Sequence, residues 1–75
     1  MKTAEINAAL DLLLTAYDVS FEKFAVIYKT DAAAVRVTYS EKTGWYRVAN
    51  AEDNSGGYTH GNPVNVAGAI ARRIA

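Results

Sequence analysis

The stretch AVRVTYSEKTGWYRVAN, residues 34–50, decides the fold. Val35, Val37 and Tyr39 alternate with Arg36, Thr38 and Ser40, the period of a strand with one buried face. Tyr46 and Val48 alternate in the same way with Trp45, Arg47 and Ala49. Between the two runs, EKTG places a glycine where a short hairpin loop needs positive φ. If Ser40 pairs with Trp45, Tyr39 meets Tyr46 and Val37 meets Val48.

The run before it, EKFAVIYKT at residues 22–30, is β-branched and aromatic and predicts another strand. A turn at Asp31 and Ala32 then sets Tyr28 against Val35, Val26 against Val37 and Phe24 against Tyr39. Every apolar candidate falls on one face, and a slip of one residue would invert a strand. The turn itself lacks the glycine or asparagine that tight hairpins favour. The three runs predict an antiparallel meander.

Helices flank the meander. Ile6, Ala9, Leu10, Leu13, Leu14 and Tyr17 recur at helical spacing, with Thr3 as N-cap and Glu5 in the first turn. This helix is expected to end across Asp18 to Ser20. Asn7, Asp11 and Thr15 occupy its polar face, and Leu12 lies off the stripe. The closing run NPVNVAGAIARRIA starts with Asn62 as cap and Pro63 at the first helical position. Val66, Ala67, Ile70 and Ile74 share one side, and Arg72 and Arg73 sit in the last turn. The order α-β-β-β-α predicts an α+β domain. It has a three-stranded antiparallel sheet with two helices packed on the face of Phe24, Val26, Tyr28, Val35, Val37, Tyr39, Tyr46 and Val48.

Composition bounds the function. The 75 residues make one domain, 1–75, and a chain this short has a small core. There is no cysteine, which excludes disulfides and thiolate metal sites. Stability then rests on the apolar core, aided by a partner or by homo-oligomerisation. Eight acids balance eight bases, so no global charge draws the chain to nucleic acid or an anionic membrane. Glu5 and Asp11 interrupt the leading apolar segment, against a signal peptide. No apolar run approaches the ~20 residues of a membrane span. The expectation is a soluble, cytoplasmic protein.

The opposite sheet face would display Ala25, Ile27, Lys29, Arg36, Thr38, Trp45, Arg47 and Ala49, without an acid. Trp beside Arg is enriched at protein interfaces. The same pair stacks bases and holds phosphates in single-strand binders. Two plainer readings stand beside these: Trp45 folded over Arg47 as a surface pair, or a face covered by the loop at 51–61. The segment GGYTHGNPVN, residues 56–65, holds the only histidine. Its Tyr58 and His60 are expected either to pack the start of the last helix or to rim a binding surface. Glu52, Asp53 and His60 match no metal spacing, and the segment fits neither a P-loop nor a dinucleotide fingerprint. No metal, cofactor or catalytic residue is assigned, and an enzyme is not expected.

The α-β-β-β-α order is similar to that of double-stranded RNA-binding domains. Those domains read A-form shape and phosphates with basic loops. Here the hairpin loop is TDAAA, and the last helix starts GNPVN without a lysine, against that function. The opening MKTAEINAALDLLL and the close HGNPVNVAGAIARRIA resemble small phage and prophage proteins. The resemblance implies inhibitors of host defence, the anti-CRISPR class among them, and carries no functional residue with it. The expected function is a non-catalytic protein that occludes a host protein complex, with Trp45, Arg47, Arg36, Lys29, Tyr58 and His60 as contacts. The alternative is a single-stranded nucleic-acid-binding module using the same face.

Overall fold

The computed structural model describes residues 1–75. The chain forms α1 (Thr3–Asp11), β1 (Asp18–Phe21), β2 (Val26–Lys29), β3 (Ala34–Ser40), β4 (Trp45–Asn50), β5 (Tyr58–His60) and α2 (Pro63–Ile74). The strands form one antiparallel sheet in the order β1-β2-β3-β4-β5. The domain is α+β, but its sheet has five strands rather than the expected three.

The central register stands as the alternation required. Ser40 pairs with Trp45, Tyr39 with Tyr46 and Val37 with Val48. Val26 pairs with Val37 and Tyr28 with Val35. Gly44 adopts φ +74° in the β3–β4 turn, the left-handed value that needs a glycine. The Asp31-Ala32 turn has no such residue. Thr30 substitutes for it: its Oγ1 accepts from the Ala32 N–H at 3.2 Å, a turn stabilised by side chain rather than by φ. The same hydroxyl donates to the Ile74 carbonyl, tying the turn to the end of α2.

Both extra strands come from misread ends. The first helix stops at Asp11, not near Asp18, and the Leu13 and Leu14 N–H groups close on the Leu10 carbonyl. Beyond Leu14 the residues at alternate positions are Thr15, Tyr17, Val19 and Phe21, β-branched or aromatic types that favour strands over helix. Tyr17 then folds back, its hydroxyl 2.6 Å from the Asp11 carboxylate, and residues 18–21 become an edge strand on β2. Leu13, expected in the buried stripe, is exposed. Thr3 is the first helical residue rather than the cap; Lys2 precedes it and its main-chain N–H donates to the Tyr46 hydroxyl at 3.2 Å. At the other end, Tyr58–His60 forms β5 instead of a loop.

Phe24 is a further correction. The ladder ends at Val26, and the Glu22 N–H donates to the Ala25 carbonyl across a turn that puts Phe24 80% in solvent. The Lys23 ammonium lies 5.4 Å from its ring centroid.

One core joins both helices to the sheet. Ile6 and Leu10 of α1, and Val66, Ala67, Ala69, Ile70 and Ile74 of α2, pack on Val26, Tyr28, Val35, Val37, Tyr46 and Val48. Each fully buried valine, leucine or isoleucine contributes roughly 1.5–3 kcal/mol. Asn62 caps α2 as its sequence required, accepting from the Asn65 N–H at 2.9 Å. Tyr28 is wholly buried and donates to Asn7 Oδ1 at 2.7 Å, a polar bond between sheet and α1. Burial, and then the neighbouring Tyr17, pushes its pKa up to about 12.

Candidate functional site

Alternation along the ladders places Ser20, Ile27, Arg36, Thr38, Trp45, Arg47 and Thr59 on the sheet face away from the helices. This face is not free of acids. Asp18 stands opposite Lys29 at the β1 edge. The Glu22 carboxylate meets the Arg36 Nε at 3.2 Å. Asp18 comes from β1, absent from the expected meander, and Glu22, expected at the start of a meander strand, lies instead in the turn between β1 and β2.

The segment after β4 folds over the same face. Arg36 donates from Nη1 to the Ala51 carbonyl at 3.0 Å. Arg47 donates to Asn54 twice, to Oδ1 and to the carbonyl, both at 2.9 Å. Gly57 packs so close that a Cβ there would fall within the Arg47 guanidinium. From the helical side, Arg73 donates to Asn50 Oδ1 at 3.3 Å and to the Gly56 carbonyl. Three guanidinium groups from three elements therefore hold one loop. Inside it, the Asp53 carboxylate accepts from the Ser55 hydroxyl at 2.7 Å and from the Ser55 N–H at 3.0 Å. These bonds hold its pKa below the usual carboxylate value, the hydroxyl bond foremost. Ala49, expected on an open face, is fully buried where this loop closes. Ala25, also expected exposed, is buried beside the β1–β2 turn.

The six residues singled out from sequence do not converge. Trp45 is half exposed, and a Cβ on Gly61 would touch its ring at 3.7 Å. Lys29 is exposed toward the opposite edge of the sheet. Arg36 and Arg47 lie between them, already bonded to Glu22, Ala51 and Asn54. Tyr58 and His60 pair with Val48 and Tyr46, so they face the helices rather than rim the Trp45 side. There the Arg73 guanidinium sits 5.3 Å from the Tyr58 ring centroid.

A surface that the sequence reading missed lies at the other end of the sheet. Phe21 and Phe24 are 71% and 80% exposed, and they line a shallow depression with Met1 and Tyr39. Strand β1 has no neighbour beyond it. Because Glu22 bonds inward to Ala25, alternation points the main-chain groups of Val19 and Phe21 outward. The available signal was the alternation in DVSF followed by the charged pair Glu22-Lys23. The apolar stripe running into it from the helix concealed that signal.

No cluster of three or more His, Cys, Asp or Glu side chains is placed to hold a metal ion. No helix is long and apolar enough to cross a membrane. No protein-family model, curated protein or solved structure matches this chain.

Proposed function

We propose that this chain is a non-catalytic binding protein of phage or mobile-element type that occludes a host protein complex. The observation that carries the reading is the pairing of a free strand edge with two exposed phenylalanines at its end. Main-chain groups of Val19 and Phe21 offer strand-addition bonds to an extended segment of the partner. Phe21 and Phe24 supply the apolar anchors from which most binding energy comes at such interfaces. Trp45 and Lys29 remain accessible contacts on the sheet face. Arg36 and Arg47 act through the loop they hold. The nucleic-acid alternative draws less support, because those two arginines already bond to Glu22, Ala51 and Asn54.

The test places a photo-crosslinking amino acid at position 24, and as a control at Val64 on α2, in bacteria whose defence system blocks a challenge phage. Expression of the chain should raise phage plating. Position 24 should link to one component of the defence complex, Phe21→Ser should abolish that link, and Phe21→Ser/Phe24→Ser should abolish the rise in plating while the domain stays folded. Unchanged inhibition by the double variant would refute the assignment of this surface. Restored plating that disappears only when nucleic-acid binding is lost would favour the alternative.

A further inference from the structure

At the edge of the sheet opposite β1, β5 and the last turns of α2 enclose a cleft of about 450 Å³ lined by Tyr58, Thr59, His60, Ala69, Arg72 and Arg73. We propose that this cleft binds an oxyanion of the phosphate class. It is independent of the Phe21 and Phe24 surface.

Charge is the first ground. No carboxylate lines the cleft. The two ion pairs of the protein, Lys2–Glu5 and Arg36–Glu22, lie elsewhere, so neither Arg72 nor Arg73 has an acidic partner. The C-terminus of α2 opposes them with only about half a negative charge. The cleft therefore stays positive, although the whole chain has net charge zero.

The donors are placed from several directions. Arg73 is held in position by Asn50 and Gly56 and lies over the Tyr58 ring. Arg72 makes no hydrogen bond within the chain, and its Nη1 folds back to 3.5 Å from where a Cβ on Gly68 would stand. Tyr58 and His60 bond inward to β4, since Asn50 bonds in the same sense to Ser55. By alternation the Thr59 N–H points outward from the edge, a free main-chain donor.

His60 supplies the second ground. Its Nε2 is the one buried side-chain polar atom of the protein with no hydrogen-bond partner. Such orphans are rare in folded proteins, and a partner from outside the chain is one way to satisfy them. His60 lines the cleft, and a small turn of its imidazole toward a bound oxygen would satisfy the orphan nitrogen. Guanidinium, imidazole and main-chain N–H approaching from different sides suit a tetrahedral oxyanion. A planar carboxylate offers its two oxygens in one plane and leaves part of this set unmatched.

The probe is inorganic phosphate, titrated into the full chain at constant ionic strength and followed by NMR, with phenyl phosphate and acetate in parallel. Saturable shifts confined to Thr59, His60 and Arg72 are expected, at least tenfold tighter for phosphate than for acetate. Arg72→Gln should weaken phosphate binding tenfold or more with the rest of the spectrum unchanged, and Lys29→Gln should leave binding intact. Tenfold preference for phenyl phosphate would identify a phosphate ester seated on the exposed Tyr58 ring; equal affinity would identify the free ion. Linear, unsaturable shifts, equal response to acetate, or unaltered binding by Arg72→Gln would each overturn the proposal.

Discussion

Gly57→Ala should change the sign of its effect when Arg47 is removed. Gly57 does not occupy the left-handed region of φ, so alanine fits its backbone. By restricting the unfolded chain alone, the change would stabilise the fold by about 0.4–1 kcal/mol. The folded state opposes this, because the new Cβ would fall within the Arg47 guanidinium. The guanidinium is the flexible end of its side chain and will swing away rather than strain the backbone. In doing so it loses both bonds to Asn54, each at 2.9 Å. At about 1 kcal/mol each, with a discount for the exposed site, the loss is roughly 1–2 kcal/mol. In the native background Gly57→Ala should therefore cost about 1 kcal/mol net. Arg47→Ala should cost roughly 1–2 kcal/mol by losing the same bonds. With Arg47→Ala already present there is nothing to displace, and Gly57→Ala should stabilise by about 0.5 kcal/mol. Urea unfolding of the four proteins measures the cycle. Amide hydrogen exchange across residues 51–57 should quicken in both single variants. Equal effects of Gly57→Ala in the two backgrounds, within about 0.3 kcal/mol, would refute the clamp and return Arg47 to the list of free contact residues.

Other perturbations probe the rest of the domain. Tyr28 has its pKa raised from 10.0 to about 12. Both folded and unfolded chains keep its proton below pH 10, so its contribution is intact there. Between pH 10 and 12 the unfolded chain deprotonates first, and stability should fall by up to about 3 kcal/mol. Tyr28→Phe should flatten that part of a stability–pH curve. Ile70→Ala, at a fully buried site, should cost about 2–5 kcal/mol in urea unfolding. Asn62→Ala removes the side-chain cap of α2 and should cost about 1 kcal/mol. Phe24→Ser should alter stability by no more than about 0.5 kcal/mol, since the ring is exposed. A large loss there would mean that Phe24 belongs to the core after all.

The elements legible in the sequence are those whose signal is local and doubled. β3 and β4 share a period-two pattern and a turn glycine, and their register followed from both. α2 carries a cap, a proline and an apolar side that agree, and all three were realised. β1 was hidden because Leu13, Leu14 and Tyr17 continue the helical spacing of α1 even though the helix ends at Asp11. β5 is three residues long, too short for an alternation to register. The candidate site was less legible than the fold. Nothing local to Arg47 or Arg36 reveals that Asn54, Ala51 and Glu22 will meet them, since the partners lie 7, 15 and 14 residues away in sequence. Phe24 reads as core until the turn at residues 22–25 fixes its direction.

By itself the sequence determined the α+β class, the central three-stranded register and the second helix, because period and capping act over a few neighbouring residues. Only the tertiary structure decided which face is covered, which arginines remain free and which aromatics face water. Those outcomes depend on where the edge strands dock and how the loop after β4 closes, and both are settled by contacts between residues distant along the chain.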